Sequence, residues 1–217
     1  MIYLISAYKG TGKDTLYKML SGGKCTAKFK WSVYRYPKCD KPMITQTARR
    51  IAFADELKKV VKRRLGLPPD FDEKKFKDRR IRDRMSFRDF CIQIGEAKKK
   101  GDPHYWAKKA FKDYVDGDVL VTDWRFQSEL DYVQSLVGPE NVVTIRLFRQ
   151  GAPVPDDDDP IEHQLDRYTP DYLIVPLKKD SDQVALATKR INPVFSQYDK
   201  CDYYLDHQYI RPVKKGQ

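Results

Sequence analysis

The chain opens with a short apolar run, Ile2-Tyr3-Leu4-Ile5-Ser6-Ala7. This passes into Tyr8-Lys9-Gly10-Thr11-Gly12-Lys13 and then Asp14-Thr15-Leu16-Tyr17-Lys18-Met19-Leu20, closed by Gly22-Gly23. The order predicts a strand, a glycine turn and a helix. It constrains the fold because a strand that feeds a helix through a tight turn is the first half of a strand-helix-strand unit. It constrains the chemistry as well. Backbone N–H groups of a glycine turn, together with a helix N-terminus, converge on an anion such as a phosphate chain, and Lys13 at the positive end of a helix dipole is unfavourable unless an anion answers it. Against the general phosphate-loop pattern G-x-x-x-x-G-K-[ST], Gly12 and Lys13 match and Ala7 holds the first glycine position. Asp14 stands where a magnesium-binding hydroxyl is usual, with Thr15 next, and an aspartate can hold that cation directly or through water.

The remaining chain continues the alternation. Arg50-Ile51-Ala52-Phe53-Ala54 reads as a short strand, and Asp55 to Leu65 as a helix with Leu57, Val60, Val61 and Leu65 on one face, ended by Gly66 and Pro68-Pro69. A basic stretch containing Arg79, Arg80, Arg82 and Arg84 reads as a loop before a helix through Phe87, Phe90, Cys91 and Ile94. Asp102-Pro103 starts another helix through Trp106, Ala110 and Tyr114. Val119-Leu120-Val121-Thr122 is a continuous apolar strand ending in Asp123, the kind of run that suits the centre of a parallel sheet. A helix over Gln127 to Val137, a strand over Val142 to Leu147, a Pro- and Asp-rich loop over Gly151 to Pro160, a strand over Tyr172 to Val175 and a helix after Asp180 follow. Repeated units of this length predict an α/β fold with a right-handed, mostly parallel sheet of roughly five strands covered on both faces.

Two segments depart from this rhythm. Between residues 24 and 48, basic and aromatic residues alternate (Lys28-Phe29-Lys30-Trp31-Ser32-Val33-Tyr34-Arg35-Tyr36), which predicts a basic/aromatic hairpin inserted on the core. Residues 209–217 read as a loose basic tail. With 217 residues the chain is expected to be a single domain. No apolar run approaches a bilayer span and the first residues lack a secretory leader's pattern, so neither membrane insertion nor secretion is expected. Cys25, Cys39, Cys91 and Cys201 are far apart with no paired spacing, which predicts reduced thiols and a cytoplasmic setting. An excess of 42 Lys+Arg over 31 Asp+Glu, net +11, draws anionic partners, nucleotides or nucleic acid.

Asp123, at the end of an apolar strand, occupies the place where phosphate-loop proteins set a carboxylate toward magnesium, and Arg125 lies on the same side of an extended chain. Taken together, several segments resemble the deoxynucleoside monophosphate kinase family of phages and large DNA viruses. They are Lys9-Gly10-Thr11-Gly12-Lys13-Asp14-Thr15, Phe53-Ala54-Asp55-Glu56-Leu57-Lys58, Arg88 through Gln93 to Gly95, and Asp123-Trp124-Arg125-Phe126 with Glu129. That family has a G-K-D-T phosphate loop, an F-A-D-x-L-K segment, a Gln-then-Gly helix and a D-x-R-F-x-x-E block, and the resemblance spans most of the chain. It implies a P-loop kinase three-layer sandwich with a lid loop over 149–166. The implied activity is transfer of the γ-phosphoryl group of ATP to a deoxynucleoside monophosphate, in host cytoplasm if the chain is viral.

On that resemblance Lys9, Gly10, Thr11, Gly12, Lys13, Asp14 and Thr15 hold the ATP phosphates, and Mg²⁺ is held by Asp14, Thr15 and Asp123. The acceptor meets Asp55, Lys58, Arg88, Gln93, Trp106 and Arg125. Arg146 and Arg149 belong to the lid, with Arg149 as its finger, and His163 matches a family histidine after the lid. Lys13, Asp123, Arg125 and Arg149 form the catalytic set. Phosphoryl transfer between two polyanions needs positioning and charge neutralisation more than covalent help, which suits such a crowd of Lys and Arg. Two other readings stay open. One is a nucleic-acid binder stacking bases on Trp31, Tyr34 and Tyr36; the other is a kinase for a different small phosphorylated acceptor. Whether two copies form a homodimer also stays open.

Overall fold

In the computed structural model, the described residues are 1–8, 11–20, 30–36, 38–41, 48–73, 75–82, 84–147, 161, 163–177, 199–205 and 210–212. Strand β1 (Ile2–Ser6) runs into helix α1 (Lys13–Leu20). There follow β2 (Lys30–Arg35), β3 (Arg49–Ile51), α2 (Phe53–Leu65), the short pair β4 (Arg80–Arg82) and β5 (Met85–Ser86), α3 (Phe87–Gly101) and α4 (Tyr105–Ala110). Then come β6 (Val119–Val121), α5 (Gln127–Val137), β7 (Val142–Leu147), β8 (Tyr172–Leu177), β9 (Asp199–Leu205) and β10 (Ile210–Pro212).

Among the described residues the main sheet has eight strands in the order β10-β9-β2-β8-β7-β1-β6-β3. Its β3-β6-β1-β7-β8 part is parallel, so the roughly five-stranded parallel sheet expected from the sequence is present. The β2, β9 and β10 strands extend it in antiparallel sense. The segment expected to form an inserted hairpin therefore does something else. Its strand β2 pairs with β8 and β9, elements more than a hundred residues away in sequence, and becomes an interior strand of the main sheet. Residues 210–212 of the expected loose tail form a sheet edge. The basic stretch expected as a loop carries the β4–β5 ribbon. The helix expected after Asp180 and residues 149–160 of the expected lid lie outside the described residues.

The core is sorted by the two-residue period of the strands. Tyr3 and Ile5 of β1 join Leu120, Val143, Ile145, Leu147, Tyr172 and Ile174 on one face, where Leu16 of α1 packs. Ile2 and Leu4 join Val119, Val121 and Val142 on the other, against Phe53 and Val61 of α2, Phe87 and Ile94 of α3, Trp106 and Phe111 near α4, and Leu130 and Val133 of α5. Helices on both sides of one sheet are compatible with a three-layer α/β sandwich. No helix among the described residues is long and apolar enough to cross a membrane.

Local signals explain most boundaries. At α3, Asp89 N–H donates to Ser86 Oγ at 3.2 Å and Ser86 N–H donates to Asp89 Oδ2 at 2.8 Å, a reciprocal capping box. Helix α2 ends at Gly66 with φ of 65°, a left-handed stop that favours glycine. Its acidic first turn (Asp55, Glu56) and basic last turn (Lys62, Arg63, Arg64) both complement the helix dipole. Its N-cap, Ala52, has no side chain to offer, and the missing cap comes from elsewhere in the fold.

Candidate functional site

The carboxyl ends of β3, β6, β1 and β7 open on one edge of the parallel sheet. After β1 the chain first enters the antiparallel strand β2 beyond β8; among the parallel strands alone, β3 and β6 then lie on one side of β1 and β7 and β8 on the other, so β1 lies where the order of the parallel strands switches direction. In open parallel α/β sheets, ligands bind outside such a point. The residues there fall into a turn and two flanks.

In the turn, Thr11 is buried and closes back onto Tyr8: its N–H and its hydroxyl both donate to the Tyr8 carbonyl, at 3.3 and 2.7 Å. Gly12 has φ of 102°, a conformation that side chains other than hydrogen resist, and its carbonyl accepts the N–H of Leu16 at 2.9 Å as α1 begins. Lys13, the first residue of α1, donates Nζ to the Ala7 carbonyl at 2.9 Å, so its ammonium lies at the end of β1. Asp14 is exposed in the first turn of α1. Thr15 lies on the same helix, and Lys9 and Gly10 are outside the described residues.

On the β6 side, Asp123 supplies the cap that Ala52 lacks. Phe53 N–H donates to one carboxylate oxygen at 2.9 Å and Ala54 N–H to the other at 2.8 Å. A residue read as a metal ligand thus also pins the start of α2 to the end of β6, and each oxygen keeps a lone pair for a further partner. Burial pushes the Asp123 carboxyl up from its ordinary range, the two N–H donors pull it down, Asp55 adds to the rise and Lys13 opposes it. One turn into α2, Asp55 accepts from Arg50 at 2.6 Å. Burial lowers the Arg50 guanidinium, but Asp55, Asp123 and Asp14 together raise it above its usual value, so Arg50 answers three acids from three elements. Sequence reading missed Arg50 because its strand β3 has only three residues and no pattern marks it.

Beyond Asp123 the D-x-R-F-x-x-E block acquires a physical reason. Glu129, only 5% exposed, folds back so that Oε2 accepts the N–H groups of Arg125 at 2.9 Å and Phe126 at 3.1 Å, fixing the chain between β6 and α5. Trp124 N–H donates to the Ile5 carbonyl at 3.2 Å, which keeps the same stretch beside β1. Arg125 is thereby held half-buried at the strand end. Burial pushes the Glu129 carboxyl up to about 7 against the pull of its two N–H donors, and burial lowers the neighbouring Lys99 ammonium, which lies over the Phe126 ring.

On the β7 side, Arg146 is a strand residue. Its guanidinium donates to Asp166 Oδ1 at 3.0 Å and Ser6 Oγ at 3.3 Å and stacks 4.6 Å over the Tyr8 ring. Tyr8 O–H donates to the same carboxylate at 2.6 Å, and His163 Nδ1 lies 2.7 Å from its other oxygen. Tyr8 and Asp166 had no sequence signal, since their meeting spans almost the whole domain. Arg149 is outside the described residues.

The other acceptor-side residues are dispersed. Lys58 pairs with Glu73 at 3.0 Å, sharing that carboxylate with Lys62 at 2.9 Å. Arg88 is half-buried in the first turn of α3, and Gln93 is exposed on the same helix. Trp106, expected to meet the acceptor, is a core residue instead, 3% exposed, with Nε1–H donating to the Gly95 carbonyl at 3.2 Å. An indole carries a large apolar area whose burial outweighs a surface role once its N–H finds a partner.

Among the described residues, no three His, Cys, Asp or Glu side chains converge as a ready-made metal cage. Asp123 and Asp14, whose charges both reach Arg50, are the kind of carboxylates that suit magnesium, which is commonly held by one or two of them plus substrate phosphates and water. No protein-family model matches the chain, and no curated protein is similar to it in sequence.

Proposed function

We propose that the protein transfers the γ-phosphoryl group of ATP to a deoxynucleoside 5′-monophosphate, acting as a P-loop kinase of the three-layer type. One observation carries the reading: a glycine turn and Lys13 lie at the end of β1, beside a half-buried carboxylate, Asp123, just past the end of the adjacent parallel strand. This is the pairing of anion cradle and cation anchor that phosphoryl transfer uses. The ordered family-like motifs add the acceptor.

In this mechanism the N–H groups of the turn and of the α1 start bind the phosphate chain, and Lys13 exchanges its bond with the Ala7 carbonyl for β- and γ-phosphate oxygens. Asp14, Thr15 and Asp123 would hold Mg²⁺ directly or through water; when bound, it neutralises charge on the phosphates. Arg50, which feels the Asp123 charge, and Arg125, two residues beyond Asp123 in the chain, carry guanidinium groups suited to the acceptor phosphate. Arg88 and Lys58 lie farther out on α3 and α2 as second contacts.

Release of ADP from ATP and Mg²⁺, measured against a panel of deoxynucleoside and ribonucleoside monophosphates beside Lys13→Ala, tests the proposal. Activity with some deoxynucleotides, lost in the variant, is expected. Silence across the panel from folded protein overturns it. The nucleic-acid reading is weaker than the sequence suggested. Its aromatic segment contains the interior strand β2, in which Val33 is fully buried, and Tyr36 just beyond the strand packs on the core.

A further inference from the structure

The Asp166 carboxylate, in the segment before β8, gathers three donors from different parts of the chain. Tyr8 comes from the glycine turn, Arg146 from β7, and His163 from three residues upstream. Tyr8 lies two residues past the end of β1, and its carbonyl is the acceptor on which Thr11 closes the turn. Arg146 ties the same group to β1 through Ser6 and covers the Tyr8 ring. Burial and the Asp166 hydrogen bond push the Tyr8 phenol up to about 12, so it remains a donor at any physiological pH. The ring is therefore held at its hydroxyl by the carboxylate and at its face by the guanidinium. A turn that must present backbone N–H groups to phosphate oxygens within a few tenths of an ångström needs such support.

We propose that Asp166 is a positioning residue for the phosphate-binding turn: through Tyr8 and Arg146 it sets the turn in the conformation that receives the triphosphate of ATP. The inference rests on the nucleotide reading above. It assigns Asp166 no contact with substrate. Its effect should fall on the ATP side alone, because the acceptor-side residues Arg50 and Asp55 belong to the opposite flank.

The test is titration calorimetry of Mg-ATP binding to the wild-type chain, Asp166→Asn, Tyr8→Phe and the double variant, with steady-state KM values for ATP and for the accepted monophosphate. Asp166→Asn should weaken ATP about tenfold, the order expected for a lost charge-assisted hydrogen bond, and leave the acceptor KM within about twofold. Tyr8→Phe should weaken ATP by less, and the double variant by less than the product of the two, since both remove one link. Asp166→Glu should recover part of the loss. Tyr8→Phe keeps the ring and its stacking, so it reports on the link even if Asp166→Asn fails to fold. Wild-type binding with both single variants equally tight, or losses that multiply independently, overturns the positioning role alone. A folded wild-type chain that binds no ATP overturns the nucleotide reading and this role with it.

Discussion

On the β6 flank of the site an acid, Asp123, is held by two backbone N–H groups at the start of α2; on the β7 flank a base, Arg146, is held by the side chains of Asp166 and Ser6 and by the Tyr8 ring. The difference matters for what each can do. Backbone donors cannot swing away, so Asp123 is fixed as part of the fold and offers only its remaining lone pairs. Side-chain partners can exchange, so the β7 network can yield to an arriving anion. Lys13 sits between the two, its ammonium on the Ala7 carbonyl and its field felt at Asp123.

Removing the group between the flanks should have the largest effect. Lys13→Ala is expected to lower kcat/KM by about 10³-fold, the scale of losing one preorganised charge at a transition state, with little change in the thermal midpoint. Kinetics with a melting curve read both; a loss under tenfold would mean that the turn does not cradle the reacting phosphates.

Asp123→Asn separates the flanks directly. The amide keeps one acceptor and turns a donor toward a backbone N–H, so α2 loses part of its cap. We expect a loss of about 1–2 kcal/mol in urea unfolding, together with an activity loss on the order of 10²-fold. Arg146→Ala should destabilise by less, about 1 kcal/mol or under, because Asp166 keeps Tyr8 and His163 as donors. Equal stability losses would erase the distinction between a backbone-held and a side-chain-held flank.

What the sequence revealed divides along similar lines. The strands β1, β6 and β7 were legible as short, mainly apolar runs, and α2, α3 and α5 from their periodicity, because these are local consequences of burial. The alternation of β2 was read correctly as a strand, yet its partners β8 and β9 come from the far end of the chain, and local alternation does not name a partner. Asp123 was legible as a candidate site residue from its place after an apolar strand. Its capping of α2 was not, since cap rules look for Ser, Thr, Asp or Asn next to the helix and here the cap arrives from residue 123. Arg50, Tyr8 and Asp166 were invisible for the same reason: each matters through a contact that only the tertiary fold creates.

Arg50 offers the next test on the β6 flank. Arg50→Ala should raise the acceptor KM about tenfold with little change in the ATP KM, and Arg50→Lys should restore less than half of the loss, because one ammonium cannot bond Asp55 and a phosphate in the fork geometry of a guanidinium. An unchanged acceptor KM would reduce Arg50 to a surface partner of Asp55.

Glu129 sharpens the comparison through pH. Its folded-state pKa, about 7, lies above the ordinary value of about 4.3, so the fold binds this proton more tightly than the unfolded chain does. Its contribution to stability is full below about pH 4.3 and is lost as pH rises through about 7. Relative to wild type, Glu129→Gln, which keeps an oxygen to accept the Arg125 and Phe126 N–H groups, should therefore gain stability between pH 5 and 7.5, on the order of 1 kcal/mol. Urea midpoints at the two pH values check this; parallel shifts in both proteins would place the titration elsewhere.

The smallest expected effect lies behind the β6 flank, where α2 meets α3. A Cβ on Gly95 would come 3.4 Å from Leu57 Cδ2, at the edge of ordinary contact, and the Gly95 carbonyl accepts the Trp106 indole N–H. Gly95→Ala gains up to about 1 kcal/mol of helix propensity and loses some of it to the crowded leucine, so its net effect should fall within about 0.5 kcal/mol of zero. Gly95→Leu has no room to relax against α2 and should cost about 1–3 kcal/mol. Because α2 carries Asp55 and its N-terminus is pinned by Asp123, that shift should also raise the acceptor KM. If Gly95→Leu alters stability and leaves the acceptor KM untouched, the packing of α2 on α3 and the placement of the acid flank are independent, and the glycine in the Gln-then-Gly motif serves the core alone.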